Sequence, residues 1–99
     1  MKKSFNEKCF SILRKVQRGR VTTYKEIAKA LRCKAYRAVG NAMSKNPYAP
    51  LVPCHRVVNA NGKLGGFASG SKKKIEMLKK EGIVILNERI DLERYLHRF

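Results

Sequence analysis

Apolar residues at the start of the chain recur at helical spacing, with Phe5, Cys9, Ile12, Leu13 and Val16 on one face. Ser4 and Glu7 form the Ser-x-x-Glu capping box that opens such a helix, and Gly19 supplies a stop. A short extended piece, Arg20-Val21-Thr22, leads to a second capping box, Thr23-Tyr24-Lys25-Glu26. Its helix is predicted to run to about Arg32, with Ile27, Ala28 and Leu31 inward. After a break at Cys33-Lys34, Ala35, Ala38, Val39, Ala42 and Met43 repeat at i, i+3, i+4, i+7 and i+8, which predicts a third, one-faced helix. Its outward face then carries Tyr36, Arg37, Gly40, Asn41 and Ser44.

Beyond Lys45 the periodicity stops. Pro47, Pro50 and Pro53 exclude a helix and hold that segment extended up to Cys54-His55-Arg56. Val57-Val58 and the turn Asn59-Ala60-Asn61-Gly62 suggest a hairpin wing, followed by a glycine-rich loop to Gly70. Ser71 is placed to cap a fourth helix through Ile75 and Leu78 to Gly82. Ile83-Val84-Ile85 and Arg89-Ile90 suggest a terminal hairpin. Asp91 then caps a last helix that buries Leu92, Leu96 and Phe99. The expected fold is mainly α with small β, a winged helix-turn-helix in one domain over residues 1–99.

Composition adds a partner to this picture. The 99 residues suffice for one small core, and 43% hydrophobic content is ordinary for a globular chain. The charge is not ordinary: 23 Lys+Arg against 7 Asp+Glu give +16, which points to a polyanionic partner, either nucleic acid or an anionic membrane surface. The competing explanation is solubility, or adaptation to heat or salt. No apolar run approaches the roughly 20 residues of a membrane span, and the first residues lack the apolar core of a signal peptide. These features predict a cytoplasmic protein with no membrane span.

Two short helices joined by a tight turn bind nothing in many proteins. The small outward residues of the third helix narrow the choice. Gly40 in a helix interior costs roughly 0.5–1 kcal/mol against Ala, so it either admits a close-approaching surface or faces a neighbouring helix. A minor groove roughly 6 Å wide suits so slim a face. The three cysteines, Cys9, Cys33 and Cys54, form no C-x-x-C and no zinc ligand set, so no metal or cofactor is expected. Cys9 lies on an apolar stripe as core filler, and Cys33 falls in a turn.

The run Pro50-Leu51-Val52-Pro53-Cys54-His55-Arg56-Val57-Val58 resembles the active-site signature of the O6-alkylguanine-DNA alkyltransferases, the methylated-DNA–protein-cysteine methyltransferases. The resemblance extends from about Gly19 to Gly82. It implies a winged helix-turn-helix whose recognition helix enters the minor groove, a flipped guanine, and irreversible transfer of the alkyl group to Cys54. O4-alkylthymine is a second substrate to consider. It also implies duplex DNA carrying O6-alkylguanine as the partner, and a monomer, with or without cooperation on DNA. Many members carry a separate N-terminal domain, whereas here the catalytic domain is expected to stand alone.

Residue by residue, the resemblance makes Cys54 the acceptor, activated through a water, His55 and Glu81. Tyr24 matches a tyrosine that contacts the 3′ phosphate and helps rotate the nucleotide. Arg37 matches the arginine that fills the vacated stack, and Asn46 an asparagine bracing the turn before the active-site segment. The carbonyl of Val57 matches an acceptor for the guanine amine, and Lys74 a lysine near the active-site loop. Gly40 and Asn41 belong to the DNA-facing helix surface, and Arg56 and Ala68 support the site. The loop departs from the family pattern at Ser69, where a glycine is usual.

Attack on an alkyl carbon needs a thiolate, and a free cysteine of pKa about 8.5 is mostly protonated near neutral pH. His55 and Arg56 supply a base and a positive field. Adjacent residues on an extended chain point to opposite faces, so His55 is expected to act through a bridging water rather than touch the thiol. Glu81 sits unfavourably, as a carboxylate at a helix C-terminus. The alternatives are a solvated Glu81 and, for the whole chain, a binding module: a lesion-flagging alkyltransferase-like protein or a winged-helix regulator. Lesion-flagging relatives carry another residue, often tryptophan, where this chain has Cys54.

Overall fold

The computed structural model describes residues 4–49, 51–64 and 71–99. In order, the elements are α1 (Phe5–Leu13), β1 (Thr22–Thr23), α2 (Tyr24–Ala30), α3 (Tyr36–Ser44), a 3-10 turn (Cys54–Arg56), β2 (Val57–Val58), α4 (Ser71–Lys80), β3 (Ile85–Leu86), β4 (Arg89–Ile90) and α5 (Leu92–Tyr95). The fold is mainly helical with small β pieces, as expected. Pro50 and the loop holding Ala68 and Ser69 lie outside the described residues.

Three of the predicted caps form. Ser4 Oγ accepts from the Glu7 N–H at 3.2 Å, Thr23 Oγ1 from Glu26 at 3.0 Å, and Asp91 from Glu93 at 3.1 Å. A side-chain cap of this kind contributes about 1 kcal/mol to a short helix. Helix α1 ends earlier than its apolar stripe, at Leu13, although Val16 remains buried through the turns that follow. Between α2 and α3, Arg32 takes the left-handed conformation at φ 58°, and Cys33 N–H donates back to the Ala28 carbonyl at 2.9 Å. This closes the helix-turn-helix. On α3 the inward residues are Val39, Ala42 and Met43, while Ala35 is exposed at the N-cap.

The wing expected from Val57 to Gly62 is not a self-folded hairpin. β2 pairs in parallel with β1, Thr22 opposite Val57 and Thr23 opposite Val58. Both valines are fully buried, which favours an internal parallel strand over a half-exposed hairpin arm. Successive strand residues face opposite ways, and the core divides accordingly. Val57 joins the cluster of α1, α2 and α3, with Cys9, Leu13, Ile27, Val39 and Val52. Val58 joins a second cluster with Val21, Leu64, Leu78, Ile83, Ile90 and Tyr95. The β1–β2 pair is the seam between the two.

Helix α4 ends in a Schellman motif: Ile83 N–H donates to Leu78 O at 3.1 Å, and Gly82 N–H to Lys79 O at 3.0 Å. Gly82 takes φ 86°, and Ile83 and Leu78 bury the accompanying apolar contact. Ile83 is thereby used up as a cap, so the terminal hairpin starts at Ile85. Its turn, Asn87-Glu88, has φ 52° and 60°, the signature of a type I′ hairpin. Helix α5 is a single turn. The chain leaves it to run beside β1, with Val21 N–H donating to Tyr95 O at 2.9 Å and His97 N–H to Val21 O at 2.7 Å. Leu96 is half-buried as a result, and Phe99, expected inside, is 47% exposed.

Two glycines should respond differently to alanine. A Cβ on Gly62, at φ 87°, would lie 2.6 Å from the Ile90 carbonyl oxygen, so Gly62→Ala must displace backbone. A Cβ on Gly82 meets nothing within 4 Å, leaving only left-handed strain of about 1–2 kcal/mol. Urea unfolding should show Gly62→Ala as the more damaging change by at least about 1 kcal/mol. Equal losses would contradict this packing.

Candidate active site

The segment that carries Cys54 is held from both sides. Asn46 Nδ2 donates to Val52 O at 2.7 Å, and its Oδ1 accepts from Tyr48 N–H at 2.9 Å. Tyr48 packs edge-on against Phe10 and lies beneath Arg14, while its hydroxyl donates to Glu7 at 3.3 Å, so the loop docks on α1. Pro53, at φ −84° and ψ 69°, forms an inverse γ-turn in which Cys54 N–H donates to Val52 O at 2.9 Å. Proline's ring favours that φ. A 3-10 turn follows at once, with Arg56 N–H donating to Pro53 O at 2.9 Å. The extended course expected through Cys54-His55-Arg56 is therefore replaced by a tight turn. Side chains there diverge by about 120° per residue.

Cys54 is half-buried and packs on the α1–α3 cluster together with Tyr24. His55 is 3% exposed and turns the other way, its Nε2 lying 2.6 Å from Glu81 Oε2. The same carboxylate accepts from Arg56 Nε at 2.9 Å, Arg56 Nη2 at 3.0 Å, and the Gly19 N–H at 3.1 Å. Arg56 also donates through Nη1 to the Val16 carbonyl at 2.9 Å. Glu81 is thus no solvated residue on a frayed turn. The Schellman motif fixes its backbone, and four donors fix its carboxylate.

Burial by itself pushes the Glu81 carboxyl up, but the hydrogen bonds from Arg56, His55 and Gly19 outweigh it and hold the group below its usual 4.5. An ionised Glu81 can only accept, so the proton in the short contact belongs to His55 Nε2. Burial lowers the His55 pKa, helped by Arg56 and Lys74 and opposed by Glu81. The resulting neutral imidazole keeps its lone pair on Nδ1, the atom able to take a proton.

Lys74 is fully buried and donates to the carbonyls of Val57, at 2.6 Å, and Leu64. Burial lowers its pKa to about 8, partly countered by the nearby Cys54. Tyr24 is raised, first by burial and then by Cys54. Cys54 therefore lies in the electrostatic reach of both. On α3, Tyr36, Arg37 and Asn41 are exposed, and a Cβ built at Gly40 would meet no atom within 4 Å. Among the described residues no neighbouring helix occupies that face.

Of the residues singled out from the sequence, Cys54, His55, Arg56, Val57, Lys74 and Glu81 come together, with Tyr24 beside Cys54 and Asn46 behind. Arg37 and Asn41 lie on a separate exposed surface, with the half-buried Gly40 between them. The sequence reading missed the Gly19 N–H and the Val16 carbonyl. It took Gly19 for a helix stop only, and nothing local marks a backbone group 62 positions away as a carboxylate donor.

Comparison with known proteins follows the same lines. A methylated-DNA–protein-cysteine methyltransferase of Metallosphaera sedula is 49% identical over 82 residues, which is 83% of this chain and 51% of that protein. A bifunctional methyltransferase/endonuclease of Picrophilus torridus is 44% identical over 87 residues, 87% of this chain and 29% of that one. The chain thus spans about half of the first relative's length and less than a third of the second's. Among solved structures, S. pombe Atl1 in complex with damaged DNA containing O6-carboxymethylguanine superposes with TM-score 0.88 at 27% identity, covering 100% of both chains. Mycobacterium tuberculosis OGT in complex with DNA gives TM-score 0.77 at 36% identity, over 83% of this chain and 51% of that one. Residues 4–83 match the family model described as 6-O-methylguanine DNA methyltransferase, DNA binding domain, and the chain belongs to that family.

Proposed function

We propose that this chain binds duplex DNA through α3 and removes an alkyl group from O6 of a flipped-out guanine, transferring it once and irreversibly to Cys54. The observation that carries the reading is a half-buried thiol at the head of a proline-set turn, backed by an oriented His55–Glu81 pair. The Cys54 proton passes through a water to His55 Nδ1. The thiolate attacks the alkyl carbon, the S–C bond forms as the C–O bond breaks, and the electron pair leaves on the guanine O6. The proton released by Cys54 ultimately restores neutral guanine. No step regenerates the thiol, so one molecule acts once. Tyr24 orients the flipped nucleotide, Arg37 fills the gap it leaves, and Asn46 and Lys74 keep the acceptor segment in place. The names of the methyltransferase relatives support this reading.

Binding to lesion-containing DNA without transfer is the second reading. The end-to-end superposition on Atl1, solved with O6-carboxymethylguanine DNA, favours it. Intact-protein mass spectrometry after mixing with an O6-methylguanine duplex separates the two. One methyl per protein, located on Cys54, is expected, and Cys54→Ala should lose transfer while still binding DNA. Unmodified protein on a bound duplex would leave lesion binding alone.

Glu81→Gln should slow transfer, because a neutral partner supports His55 less as a base. Stability carries a second signature. A carboxyl held below its ordinary value stabilises the fold above about pH 4.5, and that contribution is lost as pH falls through the folded value. The Gln variant should lack this acid-dependent part of the unfolding profile. An unchanged rate–pH curve would reduce Glu81 to a structural role.

Arg37→Ala should slow methyl transfer from duplex DNA far more than it weakens binding to undamaged duplex. A side chain that replaces an extruded base contributes once the base has left, offsetting a few kcal/mol of unstacking. A phosphate contact would instead flatten the salt slope by about one unit. Reaction with free O6-benzylguanine, which needs no flipping, should change little. Equal losses on duplex and free base would remove the stack-filling role.

A further inference from the structure

His55 and Arg56 are neighbours in one turn and reach for the same carboxylate. Oε2 of Glu81 receives His55 Nε2 at 2.6 Å and Arg56 Nη2 at 3.0 Å, while Oε1 receives Arg56 Nε at 2.9 Å. The remaining guanidinium end is tied to Val16 O. The fork cannot swing off Glu81 without breaking its bond to the exit of α1. The charged groups around His55 are Glu81 at the end of α4, Lys74 within α4, and Arg56 in its own turn. Cys54 precedes it, with Tyr24 of α2 beyond the thiol. One anion therefore faces two cations.

Resting on the alkyl-transfer reading, we propose that Arg56 is a positioning residue that sets the basicity of His55. An unshared carboxylate so close to an imidazole favours the imidazolium, which has no lone pair to offer a thiol. A carboxylate already gripped by a guanidinium fork still orients the ring but has little field left to charge it. Arg56 thus lets Glu81 fix the Nε2–H tautomer while leaving Nδ1 empty. The base strength of the relay is a balance between two neighbours in one turn, and removing Arg56 tips it toward a protonated, idle His55.

Long-range 1H–15N NMR on histidine-labelled protein reads His55 without DNA, with His97 as internal reference. In the unaltered protein at pH 7, His55 should be the neutral Nε2–H tautomer. In Arg56→Gln its titration midpoint should rise. In Arg56→Lys, which keeps the charge but loses the fork, the midpoint should lie between the two. The acid limb of methyl transfer should follow, lowering the pH 6 to pH 8 rate ratio of Arg56→Gln by at least about threefold. An imidazolium or an Nδ1–H tautomer in the unaltered protein overturns the proposal without any variant being needed. So does a His55 midpoint that stays fixed in folded Arg56→Gln or Arg56→Lys, since a purely structural arginine would lower stability alone. Failure of the transfer reading looks different: Cys54 stays unmethylated while His55 still responds to Arg56, and the catalytic half of the proposal falls with it.

Discussion

A single buried carboxylate holds the two halves of the molecule in register. Glu81 ends α4, which packs in one hydrophobic cluster, and its donors come from the α1 exit and from the turn carrying Cys54, which border the other. Its side chain is only 8% exposed, so removing Arg56 would strip a largely buried carboxylate of two of its four donors, at a cost of up to about 3–5 kcal/mol. That penalty exceeds the 0.3–1 kcal/mol by which a helix C-terminus disfavours an acid. The misplaced charge is thus explained by what surrounds it: four hydrogen-bond donors outweigh both the dipole and the desolvation.

The same network gives the site its direction. Arg56 reaches back to α1 and forward to α4, so the 3-10 turn between Pro53 and Val57 is anchored at its far end while Asn46 and Tyr48 anchor its near end. Cys54 stands between these anchors on a backbone with little freedom. Under the transfer reading proposed above, a nucleophile held in this way would lose little entropy on reaching its target, a main source of rate in a single-step displacement.

The β1–β2 seam keeps this site close to the exposed helix. Val57 packs on the α1–α3 cluster, and its carbonyl accepts from Lys74 of α4. The exposed helix therefore cannot shift against the Cys54 turn without disturbing a fully buried ammonium. On its outer side α3 presents Tyr36, Arg37 and Asn41 to solvent, and a Cβ added at the half-buried Gly40 would meet no described atom within 4 Å.

The sequence by itself determined the helices, because Ser4, Thr23 and Asp91 cap them through contacts two or three residues away and the apolar stripes need no distant partner. It also singled out Cys54, since three prolines and the Cys-His-Arg run are local and distinctive, and it named Glu81 through the family resemblance. Tertiary structure alone decided the rest. Val57-Val58 read as a hairpin arm, but burial on both faces turned them into a parallel strand against β1. Phe99 read as core, but pairing of the tail with Val21 left it half exposed. Arg56 read as a source of field near the thiol, whereas its fork closes on a carboxylate 25 residues away and on the end of α1. Those partners are chosen by three-dimensional packing, and a one-dimensional pattern of residues carries no record of them.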